Sequence, residues 1–248
     1  MYPQLSKRLL YLEGCENFVS TLFVLEAPFD KEIQGNCPCV GASGESMSKA
    51  LFGSDFRESL GAVLNGSVET IPNEAKKYAV FDTFKFPIDT VVADKLGMGL
   101  RDLLSPDNVQ WTKIKICDKK IGGELKREAK LTGRYDRFCH YETLIQCIQS
   151  VDSSILKEFI NGYKADLSRA MALFRNLENI VVCGFIAQSV LCCVCQKDYR
   201  EISYRVNYII PQKRINLRFV EHPINAHKRD DEPLWLYLAK DPPPRYLR

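Results

Sequence analysis

The chain has 248 residues, 46% of them hydrophobic and 26% charged, the make-up of an ordinary globular protein whose length suits one large domain or two small ones. Its 34 Lys and Arg against 31 Asp and Glu leave a net charge of only +3, too small to establish a polyanion partner, so any such contact is a matter of local charge. Lys7 and Arg8 precede an apolar run that Glu13, Glu16 and Asn17 interrupt, so neither a signal peptide nor a membrane span is expected and the expected compartment is cytoplasmic.

In chain order, Thr21-Leu22-Phe23-Val24-Leu25 is the first of four short apolar runs and reads as a strand. A helix pair is expected after it, over Gly44 to Phe52 and Phe56 to Leu64. Tyr78-Ala79-Val80-Phe81 reads as the second strand. Residues 96–143 show no clear helical or strand rhythm and read as an insertion. Its part from Lys113 to Arg137 is the most basic long stretch, with Lys115, Lys119, Lys120, Lys126, Arg127, Lys130 and Arg134 against Asp118, Glu124, Glu128 and Asp136. That stretch is either a solvated face or a surface for DNA or a partner.

Ile155, Leu156, Phe159, Ile160, Tyr163, Leu167, Ala170, Met171 and Phe174 then repeat at three- and four-residue steps, a long amphipathic helix that Asp152 or Ser153 would cap. Asn179 to Cys183 is the third strand, Ala187 to Cys195 a short helix, and Asn216 to Val220 the fourth strand. Near-continuous apolar strands alternating with helices predict an α/β domain over residues 1–248. A three-layer α/β/α sandwich is expected, with a central, mainly parallel four-stranded sheet and ligands at the strands' carboxyl ends.

The 10 cysteines are expected to be reduced and mostly buried. Cys37-Pro38-Cys39 lacks the C-x-x-C spacing, and Cys192 to Cys195 has it without a matching second pair. No metal and no cofactor are expected.

The residues just beyond the strand ends are polar. The first run ends in Glu26-Ala27-Pro28-Phe29 and continues through Gly35-Asn36-Cys37-Pro38-Cys39-Val40-Gly41-Ala42-Ser43-Gly44 into a helix. The last ends in Glu221-His222-Pro223-Ile224-Asn225-Ala226-His227-Lys228-Arg229. These segments resemble the first and second motifs of the uracil-DNA glycosylase superfamily, and of its family 4 members in particular. Asn179 to Ala187 resembles that family's third strand and the small-residue start of its next helix. The landmarks fall in family order over residues 21–229, leaving out the insertion.

The resemblance implies a monomeric DNA-binding hydrolase of base excision repair, cytoplasmic or associated with nucleoid or nucleus, that breaks the N-glycosidic bond of a flipped base. Positive charge then develops on the sugar and negative charge on the leaving base. Glu26 would stabilise the sugar cation and orient water, and His222 would donate to a base carbonyl. Ala27, Pro28, Cys39, Asp82 and Asn225 would line the base pocket; Gly41, Ser43 and Gly44 would approach the DNA backbone, and Lys228 and Arg229 would grip it beside the flipped nucleotide. Each residue also has a plainer reading: Glu26 as a strand-end carboxylate on neighbouring amides, His222 as a side chain packed before a proline turn, Ser43 as a helix cap.

Several positions depart from the family. Leu25 and Phe29 replace motif glycines, and Cys39 stands where the stacking phenylalanine would, a loss of about 1–3 kcal/mol unless Phe29, Phe84 or Phe86 substitutes. Asp82 stands where an amide would pair with uracil; an ionised Asp82 accepts but does not donate, which would disfavour a carbonyl and favour an exocyclic amine. With Cys15 alone before the first strand and Phe86 at another ligand position, the family's iron–sulfur cluster is not expected. A degenerate relative that binds DNA, a nucleotide-like ligand or a protein without chemistry is the alternative, and a small-molecule hydrolase on the same scaffold a third.

Overall fold

The computed structural model of the chain describes residues 2–196, 215–220 and 222. All four apolar runs are strands, and a short fifth precedes them: β1 (Leu9–Tyr11), β2 (Thr21–Leu25), β3 (Tyr78–Asp82), β4 (Asn179–Cys183) and β5 (Asn216–Val220). Their order is β1-β3-β2-β4-β5, with β1 antiparallel to β3 and every other pairing parallel. The sheet is therefore five-stranded and mixed, not four-stranded. β1 spans 3 half-buried residues at the edge, too few to show an alternating pattern in sequence.

Between β2 and β3 lie α1 (Asp30–Gly35), α2 (Ala42–Phe52) and α3 (Leu60–Leu64). Between β3 and β4 come α4 (Val91–Leu96), α5 (Leu100–Leu103), α6 (Pro106–Val109), α7 (Thr112–Thr132), α8 (Arg137–Gln149) and α9 (Ser153–Leu173), and α10 (Phe185–Cys195) follows β4. The helix expected over Phe56 to Leu64 is confined to α3, where Ser59 Oγ accepts from Ala62 N at 3.2 Å and sets the start.

Successive strand residues join different hydrophobic clusters, as a sheet covered on both faces requires. Leu22, Val24, Phe81, Ile180, Val182 and Phe219 pack with Tyr163, Leu167 and Met171 of α9, Ile186 and Val190 of α10, and Leu144 of α8. Phe23, Leu25, Val80, Val181 and Cys183 pack with Met47 of α2 and Leu60 and Leu64 of α3. Each such side chain contributes about 1.5–3 kcal/mol by leaving water. α9 forms as its periodicity dictates, with Asp152 Oδ1 accepting from Ser154 N and Ile155 N at its start.

Residues 96–143 are mostly helical, which corrects the expectation that they lack rhythm. α7 buries only Thr112, Ile114 and Leu125 along 21 residues, and Gly122-Gly123 adds no side chain to its buried face, so its apolar stripe is too thin to register as periodicity. α8 packs beside it and joins it through a Cys117–Cys147 disulfide. That pair overturns the expectation that all the cysteines are reduced: two helices that sequence did not resolve bring together thiols 30 residues apart. The other 8 cysteines are free. Among the described residues no helix is long and apolar enough to cross a membrane.

Candidate functional site

The parallel strands end on one rim, and there a cleft of about 1140 Å³ opens. Glu26 follows β2, Asp82 ends β3, Gly184 follows β4 and His222 lies just beyond β5, and all of them line the cleft. The two groups expected to act together thus share one cavity although they come from near the two ends of the chain. Burial pulls the His222 imidazole below its ordinary pKa; Glu26 and Asp118 push it up and Lys115 pushes it down, but burial prevails. A neutral imidazole still donates one N–H.

Glu26 is 8% exposed, and its Oε2 accepts from Lys115 Nζ at 2.9 Å. Lys115 also lies 3.7 Å from Asp118 Oδ2. Burial alone would lower the lysine, yet the field of Glu26 and Asp118 raises it, so it is an ammonium at neutral pH. Burial would raise Asp118, but His140 and Lys115 outweigh that and hold it below the usual carboxylate range. Asp118 Oδ1 sits 3.0 Å from His140 Nε2, and Tyr135 Oη 2.8 Å from His140 Nδ1. An ionised Asp118 only accepts, so the His140 proton lies on Nε2 and, in the neutral ring, Nδ1 accepts from Tyr135. The imidazole stacks on Phe185 with centroids 4.1 Å apart.

Gly184 holds this arrangement from the other side. Its φ is +89°, and a Cβ there would stand 2.3 Å from Glu26 Oε1. Only glycine gives the carboxylate that space and that backbone conformation at once.

The loop from β2 to α2 is organised by Glu32, 7% exposed, whose Oε2 accepts from Phe29 N and whose Oε1 accepts from Cys39 N at 3.1 Å. Ala27, Pro28, Gly41 and Ser43 line the cleft. Cys39 and Gly44 do not. Cys39 is fully buried with Sγ 3.7 Å from Met47 Sδ, and a Cβ on Gly44 would meet Cys39 O at 1.7 Å. The Cys39 side chain is turned into the core between α2 and the sheet, and Gly44 permits the loop to lie against the helix. Gly41, not Ser43, caps α2. Burial pushes the Cys37 thiol up to about 11 and Cys39 well above its ordinary value, so neither offers a thiolate near neutral pH.

Asp82 differs from its expected form. It is 1% exposed, its Oδ2 has no hydrogen-bond partner among the described residues, and burial followed by the field of Glu32 raises its pKa well above its ordinary value against the opposing pull of Arg8. Desolvation and the charge of Glu32 thus favour the neutral acid over the ionised form from which a preference for an exocyclic amine follows. Such a group donates as well as accepts.

Of the three phenylalanines considered as stacking groups, Phe84 is fully buried against Trp111 and Phe159, and Phe86 packs on Phe84. Phe29 lines the cleft, with Lys95 Nζ 4.4 Å from its ring centroid. Asn225, Lys228 and Arg229 lie outside the described residues. The sequence reading did not single out Lys115 individually, nor Asp118, Tyr135, His140, Phe185 or Glu32. His140 carried one signal, being among only 3 histidines in the chain. Compared with protein-family models and with curated proteins, the chain matches none.

Proposed function

We propose that this protein is a DNA glycosylase-like hydrolase of base excision, built as a three-layer α/β/α sandwich of the uracil-DNA-glycosylase type. It removes a damaged or modified base flipped out of DNA, acting as a monomer in the cytoplasm or with the nucleoid or nucleus. The observation that carries this reading is that Glu26 and His222 line one cleft of about 1140 Å³, large enough for an extruded nucleotide.

In this reading the sugar of the flipped nucleotide lies toward Glu26 and the base edge toward His222. The carboxylate stabilises the oxocarbenium character of the sugar and orients the attacking water, whose oxygen bonds to the sugar carbon as the bond to the base breaks and whose proton passes to the Glu26 carboxylate. The neutral His222 donates its N–H to the base oxygen on which the leaving negative charge collects. Asp82, Ala27 and Pro28 form the base pocket, Phe29 supplies the stacking ring in place of Cys39, and Gly41 and Ser43 admit the backbone. Asp82 meets the base edge: in its neutral form it pairs with a carbonyl, in its ionised form with an exocyclic amine.

A second reading, a glycosylase-fold protein that binds DNA or a nucleotide-like ligand without chemistry, is favoured by one contact. Lys115 Nζ on Glu26 Oε2 compensates the charge that the sugar cation would require. Abasic-site cleavage across a panel of modified-base oligonucleotides separates the two. The glycosylase reading expects base release from at least one member, abolished in Glu26→Gln with DNA binding retained; no release from any member supports the binding protein.

A further inference from the structure

Four of the lysines that line the cleft are held in ion pairs. Lys31 is paired with Glu45, Lys95 with Asp30, Lys115 with Glu26, and Lys119 with Asp89 at 2.8 Å. Lys126 and Lys130 also line the cleft, are exposed, and have no acidic partner among the described residues. Lys115, Lys119, Lys126 and Lys130 stand at helical spacings that place them on a single face of α7, along about 22 Å of its length. The lysines of α7 therefore form a stripe leading away from Glu26, with the two that no acid pairs among the described residues at its far end.

Gly122 and Gly123 lie on the same wall between Lys119 and Lys126. Glycine in a helix interior is unfavourable, and it normally answers to a close internal contact or a special backbone angle. Neither applies at this point. A Cβ on Gly123 would meet nothing within 4 Å, and one on Gly122 would meet only His140 and Tyr135 at ordinary contact distances of 3.5 and 3.8 Å. The packing of the described chain does not require either glycine, whereas an external backbone that must approach the helix closely between flanking cations would.

We infer that the cleft face of α7 is a rail for a phosphodiester backbone, with the phosphates held by Lys126 and Lys130 and the strand passing over Gly122-Gly123 and the paired Lys119 toward Glu26. The inference rests on the DNA reading above and adds where the strand lies. An anionic polymer of regular charge spacing fits an extended stripe, whereas a single small anion would use one or two of these lysines.

The test is fluorescence anisotropy of a labelled single-stranded oligodeoxynucleotide over a salt titration. The double variant Lys126→Gln/Lys130→Gln is compared with Lys113→Gln/Lys120→Gln, which removes the same charge from exposed positions outside the cleft. The cleft variant is expected to bind roughly tenfold more weakly at low salt, its slope of log K against log salt reduced by about 1.4, while the control loses little. Gly123→Leu, a better helix former in open space, should hold or raise the melting temperature and still weaken binding. Equal binding by the two double variants, wild-type binding by Gly123→Leu, or no oligonucleotide binding by the wild type overturns the rail. Selective loss of binding in the cleft variants with no base release by the wild type keeps the rail and removes the glycosylase chemistry. Base release with unaltered binding in the cleft variants does the reverse.

Discussion

Lys115 and Glu26, 89 residues apart in the chain, meet at 2.9 Å on the floor of the cleft, with side chains 21% and 10% exposed. The pair joins the helix sequence analysis did not resolve to the carboxylate it did. Removing one partner leaves the other charge partly buried without compensation, which costs about 1–3 kcal/mol. Lys115→Met is expected to lower stability by that order and Lys115→Arg by less, as read by urea denaturation.

Gly184→Ala tests the packing around the same carboxylate. The new methyl would lie 2.3 Å from Glu26 Oε1 at a φ of +89°. The strain and the displaced side chain together are expected to destabilise the fold by about 2–4 kcal/mol. A melting temperature equal to wild type would show that Glu26 does not occupy that space.

Asp82 and Glu32 make stability depend on pH in a defined sense. Burial raises both carboxyls above their unfolded values of 3.8 and 4.5, so their protonated forms are favoured in the fold. That contribution is fully present below the unfolded values and is lost as pH rises through the raised folded ones. Asp82→Asn, which cannot ionise, is expected to gain stability relative to wild type by about 1–3 kcal/mol between pH 4 and neutrality. A difference that is flat with pH would show Asp82 already ionised in the fold.

His222 works in the opposite direction. Its folded pKa is lowered from 6.5, so above that value both states are neutral, and as pH falls the unfolded chain takes the proton first. The stability present above 6.5 is lost as pH falls through the folded value. His222→Asn should flatten this acid-side decline in thermal denaturation scans, and the acid limb attributable to His222 in the rate of any base release should lie below 6.5.

The strands and the polar residues just beyond their ends were legible because both are local. Runs such as Asn179 to Cys183 are buried on both faces, so nearly every residue is apolar, and Glu26 and His222 stand immediately beyond such runs. Cys39 was misplaced because sequence position along a loop does not fix the direction of a side chain, and its positive φ turns the sulfur toward Met47. The upward shift of Asp82 was not legible, because desolvation and the proximity of Glu32 exist only after folding. The wall formed by α7 and α8 was missed since its residues meet the cleft through tertiary packing, and a helix with mostly solvated faces leaves little periodicity to read.

The central claim, that Glu26 and His222 act on one glycosidic bond, is tested most directly by single-turnover release of free base from an oligonucleotide carrying the best-cleaved lesion. Wild type, Glu26→Gln and His222→Asn are compared at equal occupancy. Rate losses of about 100-fold or more for Glu26→Gln, a clear loss for His222→Asn and near-wild-type DNA affinity for both are the predicted result. Wild-type rates in either variant, or no base released by the wild type, would contradict it.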